Sequence, residues 1–186
     1  NDEWIRQRTG IAERRYVADG EENSHMCVHA AEQALERAGI EAGELDLIVV
    51  ATVSGDYQMP ATACLVQKAL EAEHAGAFDV QAACSGFVTA LSAGEAYVSS
   101  GRADHVLVIG AEALSRFIDF EDRGSAILFG DGAGATLLEQ AIPGEPGAIE
   151  SLVLRSDGSQ AESLYAGGPA GAEDNPLARE VSIVMD

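Results

Sequence analysis

The sequence predicts a layered α/β fold, with helices packed against a mixed β-sheet. Leu45 to Val53 (LDLIVVATV) is a nearly continuous apolar, β-branched run, the pattern of a strand covered on both faces in a parallel sheet. Strand-like and helix-like stretches then alternate as βαβαβ up to Gly110. Beyond residue 125 strand-like runs follow one another, which makes the sheet mixed.

Each element has a local reason. Ser24 is expected to cap a helix in which Cys27, Ala30, Ala31, Ala34, Leu35 and Ala38 recur at helical spacing until Gly39 closes it. Pro60 suits a first helical turn, and Ala61 to Glu73 carries helix formers up to Gly76. Ala77 to Val80 reads as a strand, and after Cys84 the residues Phe87, Ala90, Leu91 and Val98 mark one face of a helix ending near Gly101. His105 to Gly110 (HVLVIG) is a further buried strand. Ala126 to Phe129 and Ala133 to Leu138 are strand-like runs joined by FGDGAG, and Ala148 to Leu154 adds one more. From Gly158 onward Gly, Ala, Ser, Glu and Pro become dense, the composition of a long surface loop.

The 186 residues suffice for one compact unit, and no apolar stretch approaches the roughly 20 residues that span a bilayer. No signal-peptide pattern opens the chain, although it starts at Asn1 rather than methionine. Three cysteines without C-x-x-C spacing argue against a disulfide framework and a zinc cage, so a reducing cytoplasm is the expected location. With 31 acidic and 11 basic residues the formal charge is -20, which repels a phosphate backbone and disfavours nucleic acid as a partner. Lys68 is the one lysine, a composition that fits either adaptation to high salt or a GC-rich genome. Arg6, Arg8, Arg14 and Arg15 form a local cationic patch on this acidic chain.

A lone cysteine is ordinarily a small buried hydrophobe, and Cys27 and Cys64 fit that reading on apolar helical faces. Cys84 differs, standing where a buried strand is expected to turn into a helix within FDVQAACSGF. Unsatisfied N–H groups at a helix N-terminus favour an anion, and so favour the thiolate, which is the reactive species. Ala82, Ala83, Ser85 and Gly86 are small, permitting a tight turn and the approach of a substrate carbonyl to the backbone. That is the arrangement of an activated nucleophile.

AACSGF, DRGSAILFGDGAGA and the opening DEWIRQRTGI together resemble the bacterial β-ketoacyl-acyl carrier protein synthase III enzymes of the thiolase superfamily, in the right order and along nearly the whole chain. The resemblance implies most of the N-terminal half of an internally duplicated, thiolase-like αβαβα fold. It implies Cys84 as the catalytic nucleophile, acylated by a short acyl-CoA, commonly acetyl-CoA. Malonyl-acyl carrier protein then loses carbon dioxide and its carbanion attacks the acyl-enzyme to give a 3-oxoacyl product. The second oxyanion donor and the His and Asn that assist decarboxylation are expected from the other half of the duplicated fold, so residues 1–186 alone are expected to condense poorly. The acyl carrier protein is an implied partner, a homodimer is the implied assembly, and CoA enters as substrate with no resident cofactor.

By the same resemblance Trp4, Arg8 and Arg123 contact the CoA adenine, which suits an indole and guanidinium planes stacking on a base. Met59 matches a position whose side chain crosses a dimer interface into the partner's acyl pocket, and Leu114 and Phe129 match other pocket positions. Condensing enzymes that make olefin precursors carry glutamate at the Met59 position, so this chain departs from them. Trp4 as a terminal anchor, Arg123 as a surface ion pair, and Leu114 and Phe129 as core are the plainer alternatives.

FGDGAG has the spacing G-x-G-x-G and precedes a strand-like run, leaving no helix N-terminus for a pyrophosphate. It is expected to be a structural turn whose glycines permit positive φ and close packing. His25 and His29, four apart beside Glu32 and Glu36, have a spacing able to hold a metal, yet they fall opposite the apolar face and read as a solvated stripe; no metal site is expected. His74 and His105 receive no role. Two other readings keep the fold: a relative that uses Cys84 for acyl transfer to a small acceptor or in secondary metabolism, and an inactive half-domain serving as a scaffold.

Overall fold

The computed structural model describes residues 1–142, 144, 146–167 and 182–185. Its helices are α1 (Asp2–Thr9), α2 (Asn23–Ala38), α3 (Thr62–Ala69) and α4 (Gly86–Ser99). Its strands are β1 (Leu47–Ala51), β2 (Gly76–Val80), β3 (Val106–Ala113), β4 (Asp131–Leu138), β5 (Leu164–Ala166) and β6 (Ile183–Met185). The chain divides into two compact units: Asn1–Tyr16 with Leu114–Asp131 and Arg155–Asp186, and Val17–Ala113 with Gly132–Leu154.

The larger unit holds a four-stranded sheet of order β2-β1-β3-β4, in which β1 pairs parallel with both β2 and β3. All five residues of β1 are buried, as its unbroken apolar run predicts, because each face of the sheet is covered. Alternation assigns the faces: Ile48 and Val50, with Leu107 and Ile109, pack against Cys27, Ala31 and Leu35 of α2 and Ala63 and Val66 of α3. Leu47, Val49 and Ala51, with Val106 and Val108, meet Ala90 and Val98 of α4 on the other side. The core strands and the two helical layers thus follow the sequence pattern.

Caps depend on tertiary partners. No side chain on Ala61 caps α3; instead Asp79 on β2 accepts from the N–H of Thr62 at 2.7 Å and of Ala63 at 2.8 Å. A carboxylate on the orphan donors of a helix start stabilises it, so Asp79→Ala is expected to cost about 1–2 kcal/mol, read as a lower urea midpoint with an unchanged m-value.

Several expectations are corrected. Ser24 is not the cap of α2: the cap lies two residues earlier, at Glu22, so that the helix starts at Asn23, and the Glu22 N–H donates to His25 Nδ1 at 2.9 Å in a capping box. Ser24 is buried, and its own N–H goes to Asp56 Oδ1 at 3.1 Å. Ala126 to Phe129 is not a strand, because Asp122 gathers the donors of Gly124 and Ser125 into a turn and the Ala126 N–H bonds back to the Asp122 carbonyl at 3.0 Å. The Ser125 hydroxyl, then the Gly124 N–H, holds the Asp122 carboxyl below its ordinary range. Among the described residues Ala148 to Leu154 pairs with no strand; Val153 and Leu154 lie exposed, so its apolar residues do not satisfy the period-two burial a strand requires. Part of the expected loop after Gly158 is ordered as a 3-10 turn, Gly158–Ser163, followed by β5, which pairs antiparallel with β6. Residues 168–181 of that stretch lie outside the described residues. Among the described residues no helix is long and apolar enough to cross a membrane.

Candidate active site

Cys84 stands as expected at a strand-to-helix junction, beyond the C-terminal end of β2 and two residues before α4 begins. A short 3-10 turn, Ala83–Ser85, makes the connection. Ala83 adopts φ 44, a left-handed backbone that costs an L-residue about 1–2 kcal/mol. The turn closes through the N–H groups of Ser85 and Gly86, donated to the carbonyls of Ala82 and Ala83, and the Cys84 N–H takes no part in these bonds.

The turn rests on the sheet. A Cβ on Gly86 would lie 3.3 Å from that of Ala51, so the start of α4 sits directly on the end of β1. Phe87 seats its ring on Gly110, where an added Cβ would come 3.0 Å from the ring. Ala51 and Gly110 are register partners in adjacent strands. Together they make a floor of two small residues under the thiol-bearing turn. No local sequence pattern predicts this floor; its one signal is the small size of Ala51 and Gly110 within two otherwise bulky apolar runs.

The three thiols differ in access. Cys84 is exposed, Cys64 is half-buried, and Cys27 is sealed in the core, where burial and then the Asp56 and Asp79 carboxylates push its pKa up to about 12. Limited treatment with iodoacetamide at neutral pH is expected to alkylate Cys84 first and to spare Cys27 until the protein unfolds, as read by peptide mass mapping. Labelling of Cys27 ahead of Cys84 would contradict the geometry.

The other site residues divide between the units. Met59 lies with Cys84 in the larger unit, 82% exposed, beside the exposed Tyr57. Trp4, Arg8, Leu114, Arg123 and Phe129 belong to the smaller unit. Trp4 and Arg8 come together one turn apart on α1, a helix that no sequence reading anticipated although Asn1 caps it and Gly10 ends it. The Arg8 guanidinium lies 5.6 Å from the indole centroid, so cation and ring already form one stacking surface. Arg123 is exposed in the Asp122 turn and forms no ion pair among the described residues. Leu114 and Phe129 are both half-buried.

FGDGAG is structural within the smaller unit and at the start of β4. Asp131 accepts from the Ser115 N–H at 2.8 Å and hydroxyl at 2.6 Å, and its own N–H donates to the Arg15 carbonyl at 2.7 Å. A Cβ on Gly130 would come 3.2 Å from that carbonyl, so close packing requires glycine here. Positive φ does not: Gly130, Gly132 and Gly134 lie outside the left-handed region, because the chain enters β4 rather than reversing. Arg14 fixes the preceding turn, its Nε donating to the Ile127 carbonyl at 2.9 Å.

A two-faced sheet that presents an accessible cysteine on the turn between a strand and a central helix defines a thiolase-like α/β protein. Residues 78–158 match the family of 3-oxoacyl-[acyl-carrier-protein] synthase III. The chain is 50% identical over 168 residues to the β-ketoacyl-[acyl-carrier-protein] synthase III of Clostridium perfringens strain SM101, covering 90% of this chain and 51% of that protein. Among solved structures it is similar to synthase III of Thermus thermophilus, with a TM-score of 0.91 and 39% identity over 100% of this chain and 57% of the other. It is also similar to the priming β-ketosynthase of the R1128 polyketide biosynthetic pathway, with a TM-score of 0.88 and 37% identity over 100% of this chain and 55% of the other. The chain is thus similar along nearly its whole length to 3-oxoacyl-[acyl-carrier-protein] synthases III, and spans about half the length of the curated relatives it matches.

Proposed function

We propose that this chain supplies the acyl-accepting half of a decarboxylating condensing enzyme of fatty acid synthesis, with Cys84 as nucleophile. The observation that carries the reading is the accessible Cys84 thiol on a strained turn at the head of α4, in a chain about 50% identical to β-ketoacyl-[acyl-carrier-protein] synthases III. The Cys84 sulfur attacks the thioester carbonyl of a short acyl-CoA such as acetyl-CoA. The tetrahedral oxyanion accepts a hydrogen bond from the Cys84 N–H, which the turn leaves uncommitted. The C–S bond to CoA breaks, CoA leaves as its thiol, and the acyl group stays on Cys84 as a thioester. In the second stage malonyl-acyl carrier protein loses carbon dioxide; its α-carbon attacks the Cys84 thioester, and the 3-oxoacyl carrier protein and free thiol result.

In this reading Trp4, Arg8 and Arg123 hold the CoA adenine, and Met59, Leu114 and Phe129 line acyl pockets, Met59 across a homodimer interface. The His and Asn that assist decarboxylation come from the second half of the duplicated fold. CoA is a substrate, no resident cofactor is required, and the reaction belongs to the cytoplasm. A second reading is favoured by the likeness to a polyketide priming β-ketosynthase: the same first half-reaction would then start a secondary metabolite.

Incubation with radiolabelled acetyl-CoA, followed by peptide mapping, tests the shared step. Label confined to Cys84 is the expected result. Absence of protein-bound label would favour a scaffold role instead. Label that malonyl-acyl carrier protein fails to discharge, even with the second half of the fold present, would favour simple acyl transfer.

A further inference from the structure

Where β1 and β3 end, one carboxylate ties them together. Glu112 of β3 accepts from the Val53 N–H at 3.0 Å, from the Ser54 hydroxyl in a short bond, and from the Thr52 hydroxyl at 3.3 Å. Thr52 Oγ1 in turn accepts from Asn23 Nδ2 at 2.8 Å, and the same amide reaches the Ser54 carbonyl at 3.2 Å. Ser54 Oγ closes the circuit by accepting from the Ala113 N–H at 2.7 Å. Asn23 and Ser54 are 0% and 1% exposed, so water does not compete for these bonds. Asn23 Oδ1, equally buried, meets no hydrogen-bond partner among the described residues.

The position of this circuit gives it a use. Thr52 and Ala111 directly follow Ala51 and Gly110, the register pair that forms the floor under Gly86 and Phe87. Past that pair the β1–β3 ladder stops, although β3 runs on to Ala113 beside β4 and the Thr52 N–H donates to the Val80 carbonyl at 3.2 Å; between the ends of β1 and β3 the links are side chains. The circuit therefore clamps β1 to β3 immediately beyond the two small residues on which the Cys84 turn rests. We infer that Glu112 is a positioning residue for Cys84, acting through the Thr52 and Ser54 hydroxyls and the floor residues Ala51 and Gly110. The inference rests on the proposed nucleophilic role of Cys84 for its kinetic arm alone.

Glu112→Gln keeps the shape but turns one of the acceptor oxygens into a donor that faces other donors. It is expected to lower the saturating rate of Cys84 acylation by acetyl-CoA about tenfold, because sub-ångström displacement of a nucleophile is costly, with KM within about twofold. Thr52→Val should lose rate in the same way and Thr52→Ser should restore it, since valine removes the hydroxyl that accepts from Asn23 and the Ser54 N–H and donates to Glu112, and serine returns it. Alkylation of Cys84 by iodoacetamide provides an arm independent of the acyl chemistry. Should the native chain alkylate but never acylate, while Glu112→Gln and Thr52→Val slow alkylation and Thr52→Ser does not, the acyl-transfer reading fails and the positioning role stands. Unchanged alkylation and acylation in folded Glu112→Gln and Thr52→Val, or losses that merely track the folded fraction by circular dichroism, overturn it. If Glu112→Gln does not fold, the valine and serine variants at Thr52 decide alone.

Discussion

Cys84→Ala is expected to leave no covalent acyl adduct after incubation with acetyl-CoA and to lower any overall condensation by on the order of 10⁴-fold or more. The effect is this large because the intermediate itself needs the sulfur: without a thiol no thioester forms, and alanine offers no second nucleophile. The side chain is exposed and makes no hydrogen bond within the turn, so the fold should hold within about 0.5 kcal/mol of the native protein. Intact mass after acetyl-CoA exposure, set beside urea unfolding, separates the two quantities. Persistent acylation in this variant, mapped to Cys64, would transfer the nucleophilic role to another helix and remove the basis of the proposed mechanism.

The largest expected loss of stability lies at Ile48. It is fully buried on β1, between β2 and β3 and beneath α2 and α3. Ile48→Ala removes three carbons from a closely packed layer whose other members are themselves fixed by the sheet, so the void can collapse only in part. The expected cost is about 2–5 kcal/mol, seen as a lower urea midpoint. Since the same strand ends at Ala51 under the cysteine turn, alkylation of Cys84 should respond as well. A loss below about 1 kcal/mol would show that the layer relaxes freely and that β1 is not the rigid base described above.

What could be read from the sequence was whatever local pattern decides. The unbroken run Leu45 to Val53 and the segment HVLVIG announce strands sealed on two faces, and the small residues around Cys84 announce a tight turn into a helix. Elements decided by distant partners were misread. Ser24 has the right chemistry for a cap, yet Asp56 takes its N–H while Glu22 and His25 form the real cap. Ala126 to Phe129 has strand composition, but Asp122 and Arg14 bend it into a turn. The Glu112 circuit was invisible for the same reason: Thr52, Val53 and Ser54 look like the frayed end of a strand until the fold brings Asn23 and Glu112 to them. Trp4 and Arg8 were picked out by resemblance, and the helix that brings them together was not.

Gly94 has a mechanical consequence for the sulfur. An added methyl there would come within 2.8 Å of Leu138 and 3.1 Å of Val108, so α4 is clamped to the sheet with no slack at that point. Gly86, where α4 begins two residues after Cys84, lies about 12 Å along this helix from Gly94, given a rise of roughly 1.5 Å per residue. A tilt of only a few degrees about this fulcrum would swing the thiol by close to an ångström. The middle of the helix thus acts as a pivot, and tuning of the reactive end can arise from packing changes far from any bound substrate.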